Sequence, residues 1–400
     1  MSDVSTKPDG DAGLESEVLR RYARGAEEVE PGLCCATGDY EADHLEVLPA
    51  EIIEKDYGCG DPSRWAVRGD TVLDLGSGAG KVCYILSQKV GPEGAVIGAD
   101  FNDAMLEVAR KHRPDVAAKI GWDNVRFVKA RIQDLALDLE RVEGRLQETP
   151  VRSVSDLAEL EETCRSWRAN EPLVRDASVD LVVSNCVLNL VKPEDKERLF
   201  REIHRVLKRG GRAVISDVVC DEPPTDRVRN DPELWSGCIA GAFVEHDFLE
   251  RFERAGFYGV EILERAAEPW QVLDGVEFRS MTVRALKGKE GPCFEHDQAV
   301  VYRGPFASAH DDDGHEYPRG RRIAVCGKTF DLLTNPSGPY AGMFEGIEPL
   351  RPVAPDSAAP FDCNQTPLRD PAVTKGDAYV ADRVASGASC CAPSDTECCG

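Results

Sequence analysis

Short apolar runs alternate with amphipathic segments through the middle of the chain. Runs of about four to eight apolar residues are typical of buried strands, and apolar residues spaced three and four apart are typical of helices. We predict strands in DTVLDL from Asp70, AVIGAD (95–100), VRFVKA (125–130), VDLVVSN (179–185) and GRAVISDV (211–218). Helices are predicted after the first strand and over about 103–113 and 193–208. Strands that alternate with helices form a parallel sheet covered on both faces, so the pattern predicts an α/β fold.

The segments before this sheet are predicted to be helical. Residues 1–16 are polar and Gly-rich and predict a disordered lead, whereas 17–30 has helical spacing and ends at Pro31-Gly32. A second short amphipathic helix is expected between residues 39 and 60, where it would form a cap outside the sheet.

Beyond the fifth strand, the pattern predicts one more helix and two antiparallel strands. The helix is FLERFERAGF (248–257), and the strands are VEILERA and FRSMTVRAL, which would complete the sheet. We therefore expect a first domain over residues 17–287. It contains a helical insertion, a candidate lid, at about 138–178, because a structureless loop of that length would be unusual.

The remaining residues differ in composition from the first domain. Residues 288–348 are turn-rich with short β-like runs such as AVVYRG and RIAVCG, which predict a small β-rich C-terminal domain. From 349 to 400, Pro, Ala, Asp and Ser dominate, and we interpret this part as a flexible, cysteine-containing tail.

Charge and composition narrow the classes of function. Of the 400 residues, 48 are Lys or Arg and 72 are Asp or Glu, a formal net charge of −24. Such a charge repels nucleic acid and anionic membrane surfaces. No apolar run is long enough to span a bilayer, and the N-terminus has neither the basic nor the apolar part of an export signal, so we expect a cytoplasmic protein.

A glycine-rich loop follows the first strand in VLDLGSGAGK. Gly76, Gly78 and Gly80 permit a sharp turn and a close backbone approach to a ligand, which also occurs in dinucleotide dehydrogenases. Asp100 ends the next strand, where a carboxylate accepts hydrogen bonds from ribose hydroxyls. We find no basic side chain suited to a pyrophosphate, which argues against a dinucleotide. The candidate cofactor-binding residues are Asp74, Gly76, Ser77, Gly78, Gly80, Asp100, Phe101, Asn102, Ile132, Ser184 and Asn185.

Fifteen cysteines are many for a chain without an export signal. Cys59 lies in YGCG, Cys186 follows the fourth predicted strand, and Cys238 lies in a loop after the fifth, so the three thiols could converge above one pocket. Free cysteines are often small buried hydrophobic residues, and this alternative stays open for Cys186. Zinc sites favour paired CxxC spacing and four ligands, which are missing here. Trivalent arsenic needs only three soft ligands and keeps a lone pair free to attack.

These motifs carry a resemblance to a known family. The loop DLGSGAGK with Asp100 resembles class I S-adenosylmethionine-dependent methyltransferases, which implies a Rossmann-like α/β sheet with helices on both faces. The motifs YGCG, VSNCVLNL and LWSGCIAGAF look like the arsenite methyltransferases over residues 30–285. The resemblance implies that Cys59, Cys186 and Cys238 handle arsenic(III). It also implies a fourth cysteine, which is either Cys34 or Cys35. In our hypothesis this cysteine forms a disulfide with Cys59, and thioredoxin or glutathione would reduce that disulfide. The insertion and the C-terminal domain match no motif of that family.

Two other functions remain open at this stage. A methyltransferase of an organic small molecule would use the cysteines structurally and would need a base in its pocket. A metalloid-binding protein without catalysis would bind arsenite and consume no cofactor. The terminal pairs Cys390-Cys391 and Cys398-Cys399 could capture arsenicals or could be without function.

Overall fold

A computed structural model describes residues 12–30, 40–55, 57–365 and 367–376. The chain divides into two compact units, Met1–Gly288 and Lys289–Gly400. The helices are α1 (Ala12–Glu27), α2 (Ala42–Leu45), α3 (Ala50–Glu54), α4 (Lys81–Val90), α5 (Asp103–Ile120), α6 (Leu139–Glu148), α7 (Val154–Asn170), α8 (Pro193–Val206), α9 (Asp226–Arg229), α10 (Pro232–Ser236), α11 (Glu245–Arg254), α12 (Gly327–Thr334) and α13 (Pro371–Lys375).

Most strands belong to one large sheet in the first unit. In chain order the strands are β1 (Thr71–Leu75), β2 (Ala95–Asp100), β3 (Val125–Lys129), β4 (Val179–Asn185), β5 (Leu207–Cys220), β6 (Phe243–Val244), β7 (Tyr258–Arg265), β8 (Gln271–Leu273), β9 (Val276–Leu286), β10 (Ala299–Tyr302), β11 (Ser308–His310), β12 (Glu316–Pro318), β13 (Arg322–Ala324) and β14 (Phe344–Ile347).

The sheet has the order β3-β2-β1-β4-β5-β9-β7, with β6 beside β5 and β8 beside β9. The first five strands of this order pair in parallel, and β9 joins β5 and β7 antiparallel. The predicted Rossmann-like α/β fold is therefore confirmed, including the two antiparallel strands that complete the sheet. The order reverses between β1 and β4, and ligands of open α/β sheets bind at such a reversal.

Two buried apolar layers hold this sheet between its helices. On one side, residues such as Leu73, Val182 and Ile215 pack with Phe200 of α8 and Phe252 of α11. The other layer joins strand residues of β1, β2 and β4 to helices α4 and α5. Because both faces are covered, the central strands are mostly apolar, which is why the sequence pattern predicted them.

Several predicted boundaries need correction. Helix α1 begins at Ala12, inside the predicted disordered lead, and ends at Glu27. Helix α5 continues to Ile120, about two turns beyond the prediction, with Pro114 inside it. Strand β5 is also longer than predicted, from Leu207 to Cys220. The cap region contains two short helices, α2 and α3, where one was predicted.

The insertion consists of α6 and α7. Asp138 caps α6 by accepting hydrogen bonds from two backbone N–H groups, and Ser153 caps α7 in the same way with one. Each cap satisfies donors that a helix start leaves unpaired.

Among the described helices of the whole chain, none is both long enough and apolar enough to cross a bilayer.

The second unit has its own small core. Strand β10 pairs antiparallel with β13 and β14, a separate ribbon joins β11 to β12, and α12 packs on this sheet through Phe330. Described residues from 349 onward belong to this unit and do not form the flexible arm that composition suggested. Backbone hydrogen bonds join Leu350 to Thr374 and Ala324 to Pro367, so this segment is fixed by pairing that its polar composition does not reveal.

Candidate functional site

The glycine loop lies between β1 and α4, at the reversal of strand order. Gly76 and Gly78 have φ angles of +69° and +51°, which side chains rarely adopt. A Cβ at Gly76 would lie 2.4 Å from the Val187 side chain, so a larger residue cannot fit there. The loop therefore has its tight path because these positions are glycine.

The carboxylate of Asp100 is held against this loop. It accepts hydrogen bonds from the backbone N–H of Gly78 (2.8 Å) and of Asn102 (2.8 Å). Burial raises its pKa. The Asn102 side chain is occupied as the N-cap of α5 and also donates to the Leu19 carbonyl.

A cavity of about 340 Å³ opens in front of the glycine loop. It is lined by nine of the predicted cofactor-binding residues, namely Asp74, Gly76, Ser77, Gly78, Asp100, Phe101, Asn102, Ile132 and Asn185, and also by Cys186. Helix α1 contributes Glu15, Val18 and Tyr22, and the insertion contributes Arg168 of α7.

Two predicted cofactor contacts are not among the described residues that line the cavity. Ser184 is fully buried in β4, where its hydroxyl donates to the Leu75 carbonyl (3.2 Å). Side chains of a strand point alternately to opposite faces, so Ser184 and Asn185 cannot share one environment. Gly80 has φ +90° and a packing role, because a Cβ there would lie 2.8 Å from Phe127.

Basic residues line the cavity, although we expected none that is suited to a pyrophosphate. Lys81 directly follows the loop, lines the cavity and lies 4.0 Å from the ring centre of Tyr40. Arg168 and Arg198 also reach the cavity, but both pair with Asp134, at 2.8 and 2.9 Å. The one carboxylate of Asp134 therefore balances part of this positive charge.

The Ser77 hydroxyl is a buried polar group of the cavity. Ser77 is 8% exposed, and among the described residues its Oγ has no hydrogen-bond partner. A buried polar atom is costly unless it is paired. The bare glycine backbone, the Asp100 carboxylate and this hydroxyl together fit a cofactor with a ribose and polar groups.

The three predicted arsenic-handling cysteines meet beside this cavity. Cys59 and Cys186 form a disulfide, with 5.8 Å between their Cα atoms. Cys238 donates from its Sγ to the Cys186 carbonyl at 2.9 Å, and the Tyr22 hydroxyl lies 3.9 Å from the same sulfur. This structure pairs Cys59 with Cys186, whereas a disulfide of Cys59 with Cys34 or Cys35 stays a prediction for the catalytic cycle. The latter two lie outside the described residues, as do Cys390, Cys391, Cys398 and Cys399.

Two of these cysteines have unusual backbone conformations. Cys186 has φ +61° and Cys238 has φ +64°. A left-handed conformation costs a non-glycine residue about 1–2 kcal/mol. Residues held in such conformations cluster at functional sites.

The side chain of Asn185 fixes the loop that carries Cys59. Its Oδ1 accepts from the N–H groups of Cys59 (2.8 Å) and Gly60 (3.0 Å), and its Nδ2 donates to the Gly60 carbonyl (2.8 Å). A Cβ at Gly58 would lie 2.1 Å from this Nδ2, which explains the first glycine of YGCG. Ser280 of β9 donates to the Cys59 carbonyl at 2.9 Å.

A buried polar network, missed in the sequence, joins the loops of Cys186 and Cys238. Asn189 donates to the carbonyls of Cys238 (3.0 Å) and Val218 (2.7 Å), and Asp217 accepts from the Leu188 N–H (2.9 Å). Burial raises the pKa of Asp217 to about 7 and lowers that of Lys196, which donates to the Gly241 carbonyl, to about 8. The sequence signal for this network is Asp217, an acidic residue within the otherwise apolar strand segment AVISDVVC.

Helix α1 closes the site from the other side. Arg21 is buried and donates to the Glu233 carbonyl (2.8 Å) and to Ser236 Oγ (2.9 Å) of α10, two residues before Cys238. The sequence indicated this helix but not its place, because the spacing of apolar residues does not say which face they cover.

Comparisons with known proteins agree with this geometry. A family model described as "Methyltransferase domain" matches residues 66–144 and 161–256, and a "Domain of unknown function (DUF8838)" matches 289–379. An arsenite methyltransferase of Aquipseudomonas alcaligenes is 32% identical over 78% of this chain and 84% of its own length. One from Halobacterium salinarum is 36% identical over 65% of this chain and 53% of its own length.

A solved structure extends the likeness to three dimensions. An arsenic(III) S-adenosylmethionine methyltransferase from Chlamydomonas reinhardtii, known from a crystal structure, is 29% identical in sequence to this chain. The two structures superpose with a TM-score of 0.52. The match covers 83% of this chain and 99% of that one. With the glycine loop, the cavity and the three convergent cysteines, these likenesses show that the chain belongs to the arsenite methyltransferase family.

Proposed function

We propose that this enzyme transfers a methyl group from S-adenosylmethionine to trivalent arsenic held by Cys59, Cys186 and Cys238. The observation that carries the proposal is that Cys59 and Cys238 both contact Cys186, and Cys186 lines the cavity that the glycine loop borders. Three thiolates are a complete ligand set for pyramidal arsenic(III), and soft thiolates suit a soft ion.

Reduction must come before arsenic binds, because the disulfide occupies two of the three sulfurs. Two electrons and two protons from an external dithiol, or from two monothiols, convert the bond into two free thiols and leave the donor as a disulfide. Thioredoxin and glutathione are donors of this class. Since both keep thiols reduced in the cytoplasm, we place the enzyme in that compartment.

The residues around the glycine loop would hold the cofactor. Asp100 is placed for ribose hydroxyls, Ser77 Oγ offers an unused hydrogen bond, and Asp74 lies deeper at the end of β1. When bound, S-adenosylmethionine supplies an electrophilic methyl group on a sulfonium. Val18 and Tyr22 of helix α1 also line this space.

The cysteines then orient the arsenic lone pair toward the methyl group. In the transfer, the arsenic lone pair would become the new As–C bond, and the electron pair of the broken C–S bond would stay with the thioether that leaves. Catalysis is chiefly proximity and orientation, so it needs no general base. If the methylated product leaves as arsenic(III), two thiolates supply two electrons and become a disulfide, such as the Cys59–Cys186 bond.

Mass spectrometry of arsenic species tests this proposal. Purified enzyme is incubated with arsenite, S-adenosylmethionine and glutathione, beside Cys186→Ser, Cys238→Ser and the control Cys164→Ser, a buried cysteine of α7. We expect methylated arsenicals from the wild type and the control only. A wild type that binds S-adenosylmethionine but methylates no arsenic would refute the acceptor and point to an organic substrate.

A further inference from the structure

A second set of three thiols lies in the small C-terminal unit. The sulfurs of Cys293, Cys326 and Cys363 all lie within 4.8 Å of one another. A zinc–thiolate bond is about 2.3 Å long, so two sulfurs on one ion lie at most about 4.6 Å apart. The three side chains are thus close to the spacing that a single bound ion requires.

Backbone hydrogen bonds hold the three segments together. The N–H of Phe361 donates to the Cys293 carbonyl (2.9 Å), and the N–H of Glu295 donates to the Ala359 carbonyl (2.8 Å). The N–H of Gly327, next to Cys326, donates to the Phe294 carbonyl at 3.0 Å. The thiols therefore converge because their main chains are paired, and the site is preformed.

Cys326 has a further contact that suits a ligand sulfur. It is the N-cap of α12, where its Sγ accepts from the Thr329 N–H (3.4 Å) and lies 3.2 Å from the Thr329 hydroxyl. Its side chain is buried, whereas Cys293 and Cys363 are partly exposed. An ion can therefore enter past two of the sulfurs and bind the third inside.

The number of ligands decides which ion fits. In the part of the chain that the structure describes, no His, Asp or Glu side chain joins the three cysteines. Structural zinc almost always takes four protein ligands, whereas arsenic(III) is complete with three. We propose that Cys293, Cys326 and Cys363 form a second, non-catalytic binding site for trivalent arsenic.

Binding at this site is a ligand exchange without electron transfer. Arsenous acid, As(OH)₃, loses three hydroxyl groups as three As–S bonds form. The three thiol protons leave with them as three waters, and arsenic stays trivalent. The proposal does not depend on methyl transfer, because it rests only on the thiols of the second unit.

Arsenic binding to the full chain tests the proposal. The background variant carries serine in place of the other candidate ligands, Cys34, Cys35, Cys59, Cys186, Cys238, Cys390, Cys391, Cys398 and Cys399. The protein is reduced with a phosphine, equilibrated with arsenite and freed of unbound arsenic. We expect one arsenic per chain by elemental analysis and three sulfur neighbours by X-ray absorption spectroscopy.

Single changes in that background assign the ligands. Cys326→Ser and, separately, Cys363→Ser should lower arsenite affinity at least tenfold and leave two sulfur neighbours, while Cys164→Ser should bind as the background does. Circular dichroism confirms that each variant is folded, and the partly exposed Cys363 keeps the test valid if Cys326→Ser misfolds. Equal binding by all variants, no bound arsenic, or tightly bound zinc in the purified protein would overturn the proposal.

Discussion

The two sets of three cysteines, one in each unit, are brought together by different backbone structures. In the first unit, Cys186 and Cys238 have left-handed backbones on loops at the end of a parallel sheet, and Cys186 borders a cofactor cavity. In the second unit, Cys326 has an ordinary extended backbone and caps a helix, and short main-chain hydrogen bonds hold its neighbours. Binding a soft ion needs only the convergence of sulfurs. Methyl transfer also needs an ion aimed at a second ligand, and only the first set has such a neighbour among the described features.

The strongest test of this difference removes the side chain that aims Cys59. Asn185→Ala deletes three hydrogen bonds to the Cys59 loop. Misplacement of about 1 Å costs on the order of 100-fold in rate, so we expect a loss of about 10- to 100-fold in kcat/KM for arsenite. Arsenic binding at the second set should not change. Methylation kinetics and arsenic stoichiometry, measured on the same preparation, check both halves of this expectation.

A milder change crowds the Asn185 side chain and leaves its hydrogen-bonding groups in place. Gly58→Ala places a methyl group on the Asn185 amide, whereas Gly144→Ala, in helix α6, meets nothing within 4 Å. Overpacking typically costs about 1–3 kcal/mol, so Gly58→Ala should lower the free energy of unfolding by that amount and reduce methylation. Gly144→Ala should be neutral or slightly stabilising, since alanine is the better helix former. If denaturant unfolding gave equal values for the two variants, the fit around Asn185 would not be tight.

The buried network of the first unit predicts a dependence of stability on pH. Burial raises the pKa of Asp217 to about 7, well above its ordinary value near 3.8. A raised carboxyl pKa favours the folded state at low pH, and this contribution is lost as pH rises from about 4 to 7. Asp217→Asn, which cannot ionise, should flatten the fall in the melting temperature of the first unit across that range. An unchanged slope in this variant would show that Asp217 is ionised throughout.

The smallest effect is expected when the second set alone is changed. Cys326→Ser in the otherwise native chain should leave methylation within about twofold, because Cys326 belongs to the other compact unit. The same preparation should hold one arsenic fewer per chain. A large loss of methylation by a folded variant would show that the two thiol sets act together.

Strands and the glycine loop were readable in the sequence because local patterns determine them. Strands β2 and β4 have the predicted bounds, since buried parallel strands are continuous apolar runs. Helix α5 was predicted only to about Arg113, the residue before Pro114. Proline disfavours a helix interior, yet tertiary packing of Val116 accompanies the continuation of this helix to Ile120.

Contacts between distant segments were not readable in the same way. Cys59, Cys186 and Cys238 were found because each lies in a recognisable motif, although their disulfide pairing was not. Cys293, Cys326 and Cys363 were missed, because they lie in separate segments without metal-site spacing and meet only through pairing within the small unit. The clamp by Asn185 was missed for the same reason.

The left-handed backbones of Cys186 and Cys238 have one more consequence. Glycine adopts a positive φ without strain, whereas a cysteine at either position adds backbone strain and so lowers the free energy of unfolding. Replacement by glycine would relieve this strain, but at Cys186 it would also remove the disulfide, and at both positions it would remove a buried side chain. The strained backbone at the two cysteines is therefore a cost in folding free energy that the enzyme accepts for the position of its thiols.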